Sequence, residues 1–295
     1  APPVAFRARV GNEPVAGVVS RVTEADAIAF RDHLINEYDF NPGPFQGYGF
    51  DQKNDKVFAR LDYNINDNHR LTVRHNWVKA LRDIPVSNSG AQGGRQNSNT
   101  ALPFQSSNYT QNNQTNSTVI ELNSTFGNKY SNNLILTRTT VRDFRESQTG
   151  TSPFPTVDIE SGGTTYMTAG FEPFTPNNRL DQDLYQLTNN FTVYSGKHVY
   201  TLGTHNEFYK FLNGFTPRFF GNYIYSSLSD FINDNAPREY QLTFSKLPNQ
   251  AIPFAEFNAF QLGFYAQDEW QINSKFKLTS GVRIDIPQVY KNNAP

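Results

Sequence analysis

The chain has 295 residues, with 26 Lys plus Arg against 27 Asp plus Glu, a formal net charge of -1 and no cysteine. That balance argues against a nucleic-acid partner, and the missing thiols exclude disulfides, cysteine nucleophiles and cysteine-held metals. Only 37% of the residues are hydrophobic, yet 25 are Phe and 15 are Tyr, so aromatic anchors are plentiful and aliphatic filling for a large dry core is scarce.

The chain opens on Ala1-Pro2-Pro3 without Met or a basic and apolar leader, and it closes on Lys291-Asn292-Asn293-Ala294-Pro295 directly after a strand pattern. It reads as part of a longer chain. Residues 1–50 form an irregular segment. Within it PVAGVVSRV predicts one strand, and TEADAIAFRDHLINE predicts a short helix. Thr23 is the candidate N-cap, Glu24 and Asp26 suit the positive end of the helix dipole, and the NPGP run at 41–44 stops the helix. Ala27, Phe30, Leu34 and Tyr38 make a partial apolar stripe, expected to pack on or inside a wall of strands.

Residues 51–295 carry a repeated rhythm. Four times, two alternating segments flank a very short turn: VFARLDYNI and RLTVRHNWV around Asn66-Asp67-Asn68, TNSTVIELNSTF and NNLILTRTTVRDF around Gly127-Asn128-Lys129, DLYQLTNNFTVY and HVYTLGTHNEFYKF around Ser195-Gly196-Lys197, and FQLGFYAQDEWQI and KFKLTSGVRIDI around Asn273-Ser274. Between the pairs lie loops at roughly 81–114, 146–181 and 213–258, far beyond the usual connection of about 4–6 residues. Short turns on one side and long loops on the other are the asymmetry of a transmembrane β-barrel, whose turns face the periplasm and whose loops face outside. Segments of roughly 10–14 residues satisfy the 9–11 or so that a tilted strand needs to cross hydrocarbon. No run of about 18 apolar residues offers a transmembrane helix.

Alternation also assigns faces. Val57, Ala59, Leu61, Tyr63 and Ile65 share one side of their strand, with Phe58, Arg60, Asp62 and Asn64 on the other; Phe276, Leu278, Val282, Ile284 and Ile286 oppose Lys277, Thr279, Gly281, Arg283 and Asp285. In a barrel the apolar face meets lipid and the polar face lines the lumen. A soluble or surface all-β binding or adhesion module would turn the same stripes inward as a sandwich core. Two aromatic belts are expected, Trp77, Tyr209 and Phe211 toward the loops and Tyr63, Phe126, Tyr194 and Trp270 toward the turns, against the plainer reading of ordinary strand aromatics.

Chemistry-bearing residues are sparse. The histidines are His33, His69, His75, His198 and His205; positions 69 and 75 share a face while 198 and 205 do not, so a repeated hairpin pattern explains them better than a metal site. Asp268 and Glu269 are adjacent and face opposite ways, which rules out a paired-carboxylate glycosidase. Parity sends Glu269 to the lumen and Asp268 outward beside Trp270 at the periplasmic rim. The candidate lumenal charges are Arg60, Asp62, Arg74, Glu269, Arg283 and Asp285, read chiefly as an ion-pair ladder and otherwise as plug or solute contacts. Residues 87–118 are polar and look mobile, with few apolar anchors. The 213–258 loop instead holds Phe215, Phe219, Phe220, Tyr223 and Tyr225, candidate extracellular ligand contacts whose commoner use is self-packing. In it FFGNYIYSS is expected to extend a hairpin above the membrane and LSDFIND to form a short helix. The Asn-x-Ser/Thr sites at Asn108, Asn113, Asn116, Asn123 and Asn190 are chance products of an Asn-rich chain.

KVFARLDYNINDNHRLTVRHNWV, TNSTVIELNSTFGNKYSNNLILTRTTVRDFRE, LDQDLYQLTNNFTVYSGKHVYTLGTHNEFYKF and GFYAQDEWQINSKFKLTSGVRIDIP resemble the barrel of the TonB-dependent outer-membrane receptors, in particular their Oar-like branch, over roughly residues 50–290. The resemblance implies a barrel of about 22 strands with an N-terminal plug, a periplasmic energy-coupling partner, an outer-membrane location and uptake of a large solute. The chain itself shows about eight strands, no plug, no coupling box and no terminal aromatic strand. Eight strands could also close alone, if 281–286 paired with 57–65. The reading is therefore all-β, an antiparallel up-and-down barrel fragment with one short N-terminal helix, in which residues 1–50 lead from the plug side to the barrel. Expected partners are outer-membrane lipid, the plug and coupling protein of the parent receptor and an unknown solute. The fragment is taken as non-enzymatic and without cofactor; a barrel enzyme lacks any workable Ser/His/Asp arrangement.

Overall fold

The computed structural model describes residues 6–148 and 153–293; the expectations about Ala1-Pro2-Pro3 and about Ala294 and Pro295 lie outside them. Short strands β1 (Arg7–Arg9) and β2 (Val19–Thr23) pair in parallel, and helix α1 (Glu24–Tyr38) follows. Its N-cap is Thr23, whose hydroxyl accepts from the Asp26 amide at 3.1 Å, and Asp39 closes it in the left-handed region. Next come β3 (Gln52–Asn66), β4 (His69–Ile84), β5 (Leu102–Pro103), β6 (Tyr109–Phe126), β7 (Tyr130–Ser147), β8 (Thr156–Ser161) and β9 (Thr164–Ala169). The chain continues through β10 (Arg179–Ser195), β11 (His198–Gly214), β12 (Asn222–Tyr225), α2 (Leu228–Ile232), β13 (Glu239–Gln241), β14 (Ala255–Asn273) and β15 (Phe276–Asn293).

Eight of these strands form one antiparallel sheet in the order β15-β14-β11-β10-β7-β6-β4-β3, so each neighbour in space is also the next long strand in sequence. The four short turns fall where the alternation broke. The strands run 15 to 19 residues, longer than the segments read from sequence. Their upper parts, such as Tyr109–Asn116 in β6, are too rich in Thr, Asn and Gln to show alternation, yet they stay paired above the height a membrane needs. The loops shrink accordingly to 85–108, 148–178 and 215–254. Among the described residues β3 and β15 are unpaired edges, so closure of these eight strands on themselves does not occur. Edges with unpaired N–H and C=O groups are not tolerated in hydrocarbon, so the wall is a fragment of a larger barrel.

Register carries one facial pattern across the whole sheet. Leu61 opposes Val73, Val73 opposes Ile120, Ile120 opposes Leu136, and Leu136 opposes Leu187. Because directly opposed residues share a face, this row and its neighbours make one apolar surface. It stays open: Leu61 is 69% and Val282 73% exposed. A soluble sandwich needs a second sheet over this face, and no such layer covers it among the described residues. Trp77, Tyr63, Phe126 and Trp270 lie on this face as expected. Tyr194, Tyr209 and Phe211 do not, since each opposes residues of the polar face; Tyr130, Tyr200, Tyr185 and Phe208 take the apolar positions instead.

The long loops fold together. A second sheet, β13-β12-β8-β9-β5, is assembled from all three of them. The β8–β9 hairpin turns on Gly162-Gly163, with φ of +62° and +76°, the geometry that two-residue hairpin turns require. At Gly170 a Cβ would sit 1.9 Å from the Pro155 carbonyl oxygen, so the close approach there needs glycine. FFGNYIYSS was expected to prolong a membrane hairpin; its strand β12 instead pairs with β8 in parallel and with β13 antiparallel, because the chain folds back over the neighbouring loop. The LSDFIND helix is present as α2.

Helix α1 packs into this loop assembly rather than on the wall. Ala27, Phe30 and Leu34 are fully buried with Leu102, Phe104, Ile159 and Met167, and Phe30 meets the rings of Phe104 and Phe231 edge-on at 5.6 and 5.2 Å. Residues 6–51 thus stand at the long-loop end, and the chain enters β3 from there. Residues 87–118, expected to be loose, are anchored: Ala101, Leu102 and Phe104 are buried, and 109–118 are strand. Truncating Phe30 to Ala is expected to destabilise this cap by about 3–5 kcal/mol. Hydrogen exchange should show faster exchange in α1, β8 and β9 with the eight-stranded wall unchanged; equal loss in both would show that cap and wall are not separate units.

Candidate functional site

The polar face of the wall holds every candidate lumenal charge. Asp62 accepts from Arg60 at 2.8 and 3.0 Å, from Arg70 at 3.0 Å and from the Thr72 hydroxyl at 2.6 Å. Arg74 lies 3.7 Å from Glu121. At the other edge Lys277 bonds Glu269 at 2.6 Å, and Arg283 bonds Asp285 at 2.7 Å. The charges pair partly along one strand and partly across strands. Arg60, Asp62 and Arg74 sit on the first hairpin, Glu269, Arg283 and Asp285 on the last, so the structure does not bring the two groups together. On the opposite face Asp268 lies toward the short turns with Trp270, and His198 pairs with it at 2.9 Å while stacking on Tyr200 and Trp270. Among the described residues no three His, Asp or Glu side chains gather to hold a metal.

The aromatic candidates are mostly occupied with one another. Phe220 meets Phe171 and Phe219, Tyr223 lies 4.5 Å from Tyr240, and Tyr225 packs on Phe231. Burial pushes the Tyr223 and Tyr225 hydroxyls up. Phe215 is 57% exposed and lies parallel to Phe174 at 6.5 Å, the one of the five that offers an open ring.

Sequence reading missed the polar framework of the cap. Arg95 is the largest fully buried side chain among the described residues. It donates to both Asp158 carboxylate oxygens at 2.8 Å and to the carbonyls of Ser87 and Ser89, and Thr168 adds a third bond to Asp158 at 2.7 Å. This locks loop 85–108 to loop 148–178. Arg238 makes two 3.0 Å bonds to Glu160 and so ties in loop 215–254. Arg21 bonds the carbonyls of Thr100, Ser161 and Thr165, and Tyr166 donates to Asp26 at 2.7 Å, joining the N-terminal segment. Where the three loops converge, a cavity of about 430 Å³ opens between Gln92, Asp158, Glu160, Ile224, Arg238 and Glu239. No local pattern marks these residues; only the hairpin glycines at 162 and 163 hint at the element that carries Asp158 and Glu160.

With this geometry established, residues 34–294 match the family model described as outer membrane beta barrel domain. The chain belongs to the outer membrane β-barrel domain family. No curated protein matches the sequence. Among solved structures, the outer membrane transporter YddB from Escherichia coli aligns with a TM-score of 0.51 at 12% identity, over 81% of this chain and 28% of its own. FpvA of P. aeruginosa, in a pyoverdine–iron complex, aligns with a TM-score of 0.51 at 16% identity, over 83% of this chain and 31% of its own. This likeness is one of fold, and the chain spans less than a third of either structure. The barrel places it in the bacterial outer membrane, with its polar face toward the lumen.

Two outcomes follow. Breaking the buried pair as Asp158→Asn or Arg95→Ala is expected to cost the cap about 3–5 kcal/mol, read as new protease cleavage within 85–108 in detergent-folded protein; unchanged resistance would contradict the locking role. Glu172 is buried, accepts from the Phe174 amide and the Thr175 hydroxyl at 2.8 Å, and burial raises its carboxyl pKa. Since the folded value lies above the unfolded one, the contribution of Glu172 to cap stability is fully present below the ordinary carboxylate range and is lost as pH rises through the raised value. Glu172→Gln should remove that dependence and stabilise the cap at neutral pH, measured by thermal protease resistance against pH.

Proposed function

We propose that this chain forms part of the wall and the outer cap of a TonB-dependent receptor of the Oar-like branch, which captures a solute too large for open pores. The loops capture the solute, a plug in the lumen blocks free passage, and an energy-coupling protein in the periplasm moves the plug. The observation that supports this reading best is the cap itself: three loops and the N-terminal segment share one core, tied by the buried Arg95–Asp158 pair, the partly exposed Arg238–Glu160 pair and the hydrogen bonds of Arg21 and Tyr166, a preorganised surface with a cavity at the loop junction. A simple porin has no need of so large an ordered outer assembly. The lumenal ion pairs would face the plug, and the chain does no chemistry of its own; its part is binding and passage.

In planar bilayers the full-length protein is expected to show no steady open conductance, and in cells its solute uptake should vanish when the proton gradient is collapsed or the coupling protein is deleted. A stable aqueous channel, or uptake that survives both treatments, would contradict the proposal.

A further inference from the structure

The sheet of the cap has two unlike faces. Val157 and Ile159 of β8 turn toward α1 and the apolar core, so the alternate residues Asp158 and Glu160 turn the other way. There they meet the cavity of about 430 Å³ where the three loops converge. Its floor is closed, since Asp158, Glu160, Thr165 and Ile224 are 5% exposed or less. Its rim is open, with the Arg238 and Glu239 side chains 46% and 41% exposed. A ligand can enter from outside and reach groups that lie out of bulk water.

The charges around this space do not balance. Arg95 neutralises Asp158, but Glu160 and Glu239 share the one guanidinium of Arg238, at 3.0 and 3.5 Å. One carboxylate charge is left over. Arg218 stands beside Gly90 with its guanidinium 5.4 Å from the Phe174 ring centre, outside the lining. Unused hydrogen-bonding capacity has the same sense. Asp158 Oδ2 and both Glu160 oxygens each accept one bond among the described residues, and a carboxylate oxygen can accept about two.

A separate observation lies one row along the sheet. Asp158, Ile224 and Glu239 are opposed in register, and the next row is Thr156, Asn222 and Gln241. Residues two apart on a strand share a face, so this row turns to the cavity side. Asn222 is fully buried, yet neither polar atom of its carboxamide has a partner, and Gln241 Oε1 has none either. Buried polar groups left unpaired are rare, and these adjoin an acid-lined space.

We propose that this cavity binds a primary ammonium group on an alkyl stem, with the head on Glu239 and Glu160, the stem along Ile224, and the carboxamides of the neighbouring row as further acceptors. A protonated amine brings three donors and one positive charge, which answers both the surplus charge and the surplus acceptors. An anion would add to the surplus, and a neutral polyol would leave it unpaired. The volume is that of a small-ligand site, so it takes one arm of a large solute rather than the whole. In its role the site rests on the uptake reading and deepens it: the captured solute carries an aminoalkyl arm that the loop junction holds.

The test is isothermal titration of the full-length protein in detergent micelles with a tripeptide of lysine between two alanines, capped at both ends, and with the same peptide acetylated on the lysine amine. The free amine is expected to bind about tenfold tighter than the acetylated form, the scale of a hydrogen bond to a charged group. Glu239→Gln should abolish most of that preference, while Glu37→Gln on the exposed side of α1 should leave it unchanged. Gln92→Trp, which narrows the open rim, should weaken both peptides. Equal binding of the two peptides, binding of neither, a preference that survives Glu239→Gln, or an affinity untouched by Gln92→Trp overturns the proposal. The micelle assay needs neither coupling protein nor proton gradient, so uptake that survives their removal overturns the transport reading and leaves the amine site standing.

Discussion

In hydrocarbon no water is available to satisfy a backbone amide, so every N–H and C=O that crosses the membrane must find a partner in protein. The eight long strands meet this demand through one uninterrupted antiparallel ladder, from β15 to β3. Everything else in the molecule follows from keeping that ladder in register. A slip of one residue would carry Leu61, Val73, Ile120, Leu136 and Leu187 to the lumen and bring Asp62, Thr72 and Glu121 to the lipid. The short turns are the devices that prevent the slip, and the two unpaired edges show where the demand passes to strands outside this sheet.

Above the membrane the constraint is relaxed and the chain uses another kind of stabilisation. There the loops bury Phe30, Phe104, Ile159 and Met167 in an ordinary dry core, and fix the loops to one another by Arg95–Asp158 and Arg238–Glu160. A buried ion pair adds little net stability compared with apolar residues of the same size, but separating its partners is costly. Its effect is specificity: one arrangement of the three loops satisfies both charges. The exposed Arg7–Glu13 pair, which holds the Glu13 carboxyl down at about 2, closes the N-terminal turn in the same manner at the surface.

The wall was legible because its two environments impose a period of two on the residues between the turns. VFARLDYNI and KFKLTSGVRIDI announce their faces, and Gly127-Asn128-Lys129 marks a turn whose limits the structure reproduces. Strand length was not legible above the lipid, since β6 from Tyr109 to Asn116 lies beyond the hydrocarbon and is polar on both faces, so nothing selects alternation there. Parity separated Asp268 from Glu269 but was not applied to Tyr194, Tyr209 and Phe211, which is why those rings were assigned to the wrong face. The cap was opaque for a different reason. Arg95 and Asp158 lie far apart in sequence, each in a polar stretch that resembles a loose loop, and only the fold makes them neighbours. The helix at 24–38 was visible from its caps, while its packing partners in the loops were not.

The account stands on the assignment of the two faces of the wall. Since none of the 295 residues is cysteine, spin labels placed one at a time from position 131 to 139 on a full-length protein freed of any other cysteine can read each site in a lipid bilayer. Accessibility to oxygen should peak at the even positions, including 134 and 136, and accessibility to a water-soluble nickel complex at the odd ones. Uniform access to the nickel complex along both sets, or oxygen peaks at the odd positions, would contradict a wall with lipid on one side and a polar lumen on the other.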